Sequence, residues 1–407
     1  MSRKLIALLA IGTGTTVANL YYAQPLLDAI GANFHVSDGT AGLLVTVSQV
    51  FYGFGLVFLA PLSDLVDRRK LVTALLAISC VALVGAAAAP QFLVLALAIG
   101  IASTTSVVAQ ILIPFASTLA PEGERGHVVG LVMGGLLTGI LLARTFAGLI
   151  AGATSWRVVF AIAAVAMAVL AVALWRAMPK RRPSTSLRYG ELLGSIGSLI
   201  RREPLLRRRM VYGACGFGGF SLVWTTLSFL LSDPPFNFGE AEIGLFGLAG
   251  LVGAVTAMRM GRLHDRGHGR LATGAVLAAV LLSWPIFILG QHSVVAILIG
   301  LAVLDFGVQG QNVLSQGAIY ALGRETTGRV TTAYVTSNFT GGAIGSAAGS
   351  IAWSVGGWGA VCGVGVAFAC IAMLLWLTEP DPGGAKRTDD GGRRLPAAAR
   401  TPRRSVT

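Results

Sequence analysis

Apolar residues dominate this chain for about 18 to 25 positions at a time, twelve times over. The runs cover roughly 5–27, 41–62, 71–89, 92–119, 128–152, 157–177, 210–231, 241–262, 271–290, 294–320, 329–353 and 358–377. A helix of that length crosses about 30 Å of hydrocarbon at 1.5 Å per residue. It also satisfies its own backbone hydrogen bonds, which the ten-residue alternating strands of a membrane barrel do only by closing on one another. The pattern predicts an all-α integral membrane protein with twelve transmembrane helices.

The short polar segments between the runs carry a repeat. Pro61-Leu62-Ser63-Asp64-Leu65-Val66-Asp67-Arg68-Arg69-Lys70 returns 201 positions later as Gly261-Arg262-Leu263-His264-Asp265-Arg266-Gly267-His268-Gly269-Arg270. Nearly the same spacing takes Gly100 to Gly300, Glu124 to Glu325, Gly139 to Gly341 and Trp156 to Trp358. Two homologous halves follow, expected as six-helix bundles over 1–177 and 210–377 that are related by pseudo-symmetry. Between them lies a basic linker, 178–209, in which Tyr189 to Ile200 reads either as an amphipathic helix on anionic headgroups or as a solvated basic loop. The tail 378–407 is rich in Gly, Pro, Arg and Asp and is expected to be disordered. A duplicated membrane bundle is the build of a transporter, with its substrate site between the halves.

Composition sharpens this picture. Charged residues make up 12% of the chain and hydrophobic ones 54%, with a mean hydropathy of +0.74, so the solvent is lipid. The net charge of +13 raises a nucleic-acid partner, but the placement of the charge excludes one. Apart from Arg144 and Arg157, the Lys and Arg residues lie at the N-terminus, in or beside the even-numbered loops, or in the tail. By the positive-inside rule both termini and the even loops are cytoplasmic. The first run follows Ser2-Arg3-Lys4 with no small-residue cleavage site after it, and it reads as an uncleaved first helix. Cys80, Cys215, Cys362 and Cys370 fall inside helices without ligand spacing, so no metal or other cofactor is expected. The chain has no G-x-x-x-x-G-K-[ST] loop to cradle a nucleotide.

Two intramembrane charges carry candidate chemistry. Asp305 is the only acid in the middle of a run, and it opens a stripe with Gln309, Asn312 and Gln316 at i, i+4, i+7 and i+11 of one helix face. A carboxylate at the bilayer centre costs several kcal/mol, so it is expected to face a cavity, to handle a proton or a cationic substrate, or to bond a neighbouring helix. Arg144 keeps its charge at any working pH. It is open to pairing with Asp305, to an anionic substrate, or to backbone carbonyls. Small residues at Gly130, Gly139, Ala143, Ala147 and Gly148, and again at Gly341, Gly345 and Gly349, permit close helix packing. Pro25, Pro114 and Pro285 are expected kinks.

Two motifs point to a family. The loop after the second run follows G-x-L-a-D-r-x-G-r-r through Leu62, Asp64, Arg68 and Arg69, with Ala60 and Asp67 in the glycine places. The fifth run carries Gly130, Gly139, Ala143-Arg144 and Ala147-Gly148 where an antiporter pattern has Gly, Gly, Gly-Pro and Gly-Gly. Over residues 5–377 the chain resembles the major facilitator superfamily, and within it the twelve-helix bacterial drug and metabolite efflux branch. Asn19 to Leu27 also looks like the start of many bacterial members. Arg144 departs from the motif's proline, and the fourth helix lacks an arginine that many drug–proton antiporters carry.

The resemblance implies a secondary transporter of the bacterial inner membrane, exporting a small organic molecule in exchange for protons and working as a monomer. A proton symporter or facilitator for sugars or metabolites is the alternative on the same fold. It also implies that helices 1, 4, 7 and 10 line the cavity, which nominates Asn19, Tyr22, Gln24, Ser103, Ser106, Gln110, Trp224, Gln309 and Asn312. Hydrogen bonding between helices is the competing use of such residues. Tyr334 and Asn338 are expected in support. Asp64, with Arg68 and Arg69, is implied to bind the positive N-terminus of a helix in the other half, unless the loop only orients its hairpin; Asp265 and Arg266 are its counterpart. A membrane enzyme would need a catalytic cluster that this chain lacks, and a sensor would need a larger tail.

Overall fold

The computed structural model describes residues 2–180, 189–250, 269–323 and 326–379, and every regular element among them is helical. In order these are α1 (Arg3–Ala18), α2 (Leu27–Phe34), α3 (Asp38–Phe58), α4 (Arg68–Ala87), α5 (Phe92–Thr105), α6 (Val108–Leu119), α7 (Arg125–Ala153) and α8 (Trp156–Ala177). After them come α9 (Tyr189–Arg202), α10 (Pro204–Ser232), α11 (Glu240–Leu245), α12 (Gly269–Leu289), α13 (Val294–Tyr320) and α14 (Thr327–Leu377). Among the described residues nine helical stretches are long and apolar enough to cross a membrane, and α14, at 51 residues, covers two of the expected runs. Polar side chains set several starts: Ser2, Ser37, Asp67, Ser155 and Ser293 each accept a backbone N–H from the first turn of the helix they precede.

Three runs are not continuous. The first is expected over 5–27, but α1 stops at Ala18, and the chain passes through turns into a 3-10 segment, Gln24–Leu26, before α2. Pro25 has no N–H to donate and disfavours α geometry at the residue before it, which favours a break here, whereas Pro114 and Pro285 are carried inside α6 and α12. The fourth run breaks at Ser106–Val107 rather than at Pro114, which sits inside α6. There the Thr105 and Ser106 hydroxyls both donate to the Ala102 carbonyl, the local bonding that competes with a regular helix. The last two runs bend at Gly356–Gly357, where Gly357 takes φ +57°, open to glycine at little strain. In the eighth run, α11 leads into a 3-10 segment, Phe246–Gly250, and the rest lies outside the described residues, as do Asp265 and Arg266.

The repeat is visible in packing. In the first half a Cβ on Gly135 or Gly139 of α7 would run into the backbone of Ala10 or Gly14 of α1; in the second, Gly341 and Gly345 of α14 stand in the same way against Ala214 and Gly218 of α10. Backbones this close need glycine. The contacts keep the sequence register: Gly139 against Gly14 recurs as Gly341 against Ala214, and one turn earlier Gly135 against Ala10 recurs at Ser337, whose hydroxyl donates to the Met210 carbonyl at 3.2 Å.

Across the halves, α3 packs on α14 and α7 on α11. One end of the bundle carries Arg68 to Lys70, Arg125 and Arg207 to Arg209, and the other carries Asp28, Asp38, Asp233 and Glu240; these are called here the basic and acidic ends. The linker segment forms α9, whose Ile196, Leu199 and Ile200 pack against Leu206, Val330 and Tyr334, while Tyr189 Oη donates to the Phe58 carbonyl at 2.8 Å. Glu379, counted with the tail by sequence, is instead held by Arg209 at 2.8 Å and Tyr212 at 3.1 Å. The four cysteines are free thiols.

Candidate functional site

Arg144 is the centre of the site. It lies on α7, is 3% exposed, and its Nε donates to Gln24 Oε1 at 2.6 Å. The guanidinium lies over three aromatic rings, Trp224 at 4.0 Å, Tyr21 at 4.6 Å and Phe220 at 5.4 Å. Each piece has a local origin. The break after Ala18 unwinds the first helix, which turns Gln24 inward. On α10, Phe220 and Trp224 are one turn apart and share a face. A charge that cannot be neutralised is thereby covered by π faces and one amide in place of water.

Asp305, on α13, is also 3% exposed, but among the described residues it forms no ion pair with Arg144. The two charges interact electrostatically across the gap between α7 and α13. Gly250 fills that gap: a Cβ there would meet Leu141 Cδ1 at 3.2 Å and Asp305 Oδ2 at 3.4 Å. Of the open expectations for Arg144, a backbone carbonyl is met, that of Ile140 at 3.5 Å, while the short contact is to the Gln24 amide, which was not among them.

The other nominated residues divide. Asn19 is buried, bonded to Ser106 Oγ at 3.4 Å and to Met167 Sδ at 3.5 Å. Gln110 donates to Tyr52 Oη at 3.4 Å, and Tyr22 is half-buried in the same bundle. On α13, Gln309 and Asn312 are half-buried, and Asn312 accepts from Gln316 at 3.2 Å, so the stripe closes on itself. Its neighbours Gln311 and Ser315 are the buried polar groups of that helix below Asp305, set against Tyr334. Tyr334 and Asn338 are buried where support was expected.

Sequence reasoning missed the seam that joins the halves at the acidic end. Trp353 Nε1 donates to Asp38 Oδ2 at 3.1 Å, Thr46 to Ser346 Oγ at 3.1 Å and Gln49 to Ser221 Oγ at 3.2 Å. Tyr52 and Phe339 close it toward the middle with ring centroids 4.3 Å apart. The signal was present: Asp38, Gly42, Thr46 and Gln49 fall at i, i+4, i+8 and i+11, as regular a stripe as the one begun by Asp305.

The chain matches the sequence profile of the Major Facilitator Superfamily over residues 9–346. It belongs to that superfamily. The transporter YgaY of Escherichia coli O157:H7 is 44% identical to it over 376 residues, 92% of this chain and 95% of YgaY. A Streptomyces coelicolor protein named "Probable transporter SCO4007" is 38% identical over 386 residues, 93% of this chain and 88% of that protein. The crystal structure of a bacterial homologue of the human lysosomal transporter Spinster, inward-facing and occupied, shares the fold with a TM-score of 0.75 at 14% identity, covering 92% of this chain and 96% of that one. This superfamily member is thus a multi-pass membrane transporter and not an enzyme. Its loop motif is built as a compact turn: Asp64 pairs with Arg68 at 2.8 Å, Arg68 Nε also donates to the Ser63 carbonyl, Asp67 caps α4, and the Arg69 guanidinium sits 4.2 Å over Trp175. The counterpart at Asp265 and Arg266 lies outside the described residues.

Proposed function

We propose that this transporter exports a small organic molecule across the bacterial inner membrane in exchange for protons, by opening one shared chamber to the two sides in turn. The observation that carries the reading is the pair of buried charges, Arg144 in one half and Asp305 in the other, near enough to interact and not locked together. A carboxyl group takes up and releases a proton while a guanidinium does not. Asp305 is therefore the proton-handling group and Arg144 the fixed charge, with Gln24, Tyr22, Asn19, Gln110, Trp224, Gln309 and Asn312 around the path of the cargo.

The basic end faces the cytoplasm, in keeping with the positive-inside rule, and both termini lie on that side. The Asp38–Trp353 seam then closes the outer face, and the turn of Asp64, Arg68 and Arg69 guards the inner one. The working unit in this reading is a monomer. A second reading, proton symport or facilitated passage of sugars or metabolites, is favoured by Arg144 itself, which stands where the antiporter motif has proline.

Proteoliposomes with an imposed pH gradient test both, with candidate cargoes screened by the proton movement they evoke. Export by antiport moves protons against the cargo; symport moves them with it. Asp305→Asn is expected to abolish proton-driven accumulation while leaving cargo exchange in place. Coupled flux undiminished in Asp305→Asn would remove the carboxyl from the mechanism.

A further inference from the structure

Between the halves, on the acidic-end side of Arg144, lies a cavity of about 10 Å³, the room of a single water-sized group. Four buried polar atoms on its lining residues have no hydrogen-bond partner among the described residues: Arg144 Nη2, Gln24 Nε2, Trp224 Nε1 and Ser228 Oγ. All four residues are at most 4% exposed. The first three atoms can only donate, and the serine hydroxyl can donate as well. Pro25, Leu227 and Ile243 complete the wall with hydrocarbon. The described lining thus holds four unpartnered donor atoms, one of them on a fixed positive charge, and no carboxylate. Asp305 reaches Arg144 through its field but does not line the cavity.

Leaving four such atoms unmatched in a buried place is costly, an arrangement that makes sense for a group that visits and leaves. An ammonium or other cation is excluded, because it brings donors to donors. A neutral hydroxyl or amide would satisfy one or two of the atoms and leave the charge unanswered. Two oxygens in one plane carrying one negative charge answer the free guanidinium nitrogen, the Gln24 amide, the indole N–H and the hydroxyl together.

We infer that Gln24, Arg144, Trp224 and Ser228 form a carboxylate-recognition subsite, so the transported molecule is a carboxylic acid carried as its anion. The inference rests on the reading of this chain as a transporter of small organic molecules and holds for either direction of movement. In the closed arrangement the cavity is too small for a whole carboxylate-bearing molecule, and the donors come from both halves: Gln24 and Arg144 from the first, Trp224 and Ser228 from the second. Separation of the halves at the seam opens the subsite, and closure around the anion completes it.

The test is binding to the purified full-length chain, followed by tryptophan fluorescence and thermal shift, with acetate, propionate and benzoate against acetamide, propionamide and benzamide, and with chloride. The carboxylates are expected to shift both signals and the matched amides to leave them unmoved. Arg144→Gln should weaken carboxylate binding roughly ten- to a hundredfold. Since that variant could fail to fold, Trp224→Phe and Ser228→Ala each remove one donor and keep the charge; each should weaken binding about fivefold. Amides binding as well as carboxylates, chloride matching them, or both single-donor variants binding as the parent does would each overturn the assignment. Binding of carboxylates without any cargo flux in proteoliposomes would instead sink the transport reading and leave the subsite standing.

Discussion

Gln24 Oε1 accepts from Arg144 Nε at 2.6 Å across 120 residues of chain, joining the broken first helix to α7. The bond explains two departures from regularity at once. The first helix gives up its continuity after Ala18, and the guanidinium gains an amide oxygen in a place without water. Gln24→Ala should lower the unfolding free energy by about 1.5–3 kcal/mol, the range for a hydrogen bond to a charged group, read as a fall in midpoint in thermal denaturation. Gln24→Glu should keep the stability and slow transport, because an ion pair would hold Arg144 in one arrangement. A Gln24→Ala protein as stable as the parent would show that the rings alone support the charge.

The seam between α3 and α14 places Gly42 directly against Ser350. In a chain whose four native cysteines are replaced, Gly42→Cys with Ser350→Cys should oxidise to a crosslink that stops transport, and a reductant should restore it. Transport through the crosslinked protein would contradict alternation between two faces.

Gly244 packs its backbone on α7, where an added Cβ would stand 2.9 Å from both the Arg144 carbonyl and Gly148 Cα. Gly244→Val should therefore wedge the acidic end apart. Accessibility of a cysteine at position 42 to a polar thiol reagent should rise severalfold in that variant. Equal labelling in parent and variant would mean that the seam closes without this contact.

At the acidic rim, Asp28 lies near Ser232, Asp38, Asp233 and Glu240. Burial, with Asp38 second, pushes the carboxyl groups of both Asp28 and Asp233 above the usual 3.8. A carboxyl raised in the closed rim holds a proton there that it would release when exposed. The closed form is therefore disfavoured above the raised values, and it is relieved as pH falls through them toward 3.8. Spin-label distances across the rim should shorten as pH drops from 7.5 to 4.5, less so in Asp28→Asn. A rim distance independent of pH would dismiss this coupling.

Arg209 and Glu379 form a buried pair at 2.8 Å, with Thr273 and Tyr212 as further partners. Removing one member leaves a buried charge without its counterion, at a loss of about 3–5 kcal/mol. Glu379→Ala should therefore destabilise the protein far more than an ordinary change near a chain end, and Arg209→Met with Glu379→Met should recover much of the loss. A thermal midpoint unchanged in Glu379→Ala would mean that the pair is open to solvent.

Length and hydropathy of the runs were enough for the sequence to determine the membrane class, the helical architecture and the doubling of the bundle, because hydrocarbon leaves a backbone few alternatives. The 201-residue register and the loop motif around Asp64 and Arg68 carried the family as well, and the isolation of Asp305 and Arg144 within apolar runs marked them as candidates for function. Which residues meet was beyond reach. That Arg144 turns to Gln24 and the Trp224 ring rather than to Asp305 depends on how α7, α10 and the unwound first helix pack, and no local preference of any one segment encodes it. The partners across the seam from Asp38 to Gln49 and the gathering of Gln24, Arg144, Trp224 and Ser228 around one cavity were likewise decided in the tertiary structure, where residues from both halves face one another only after the bundle has closed.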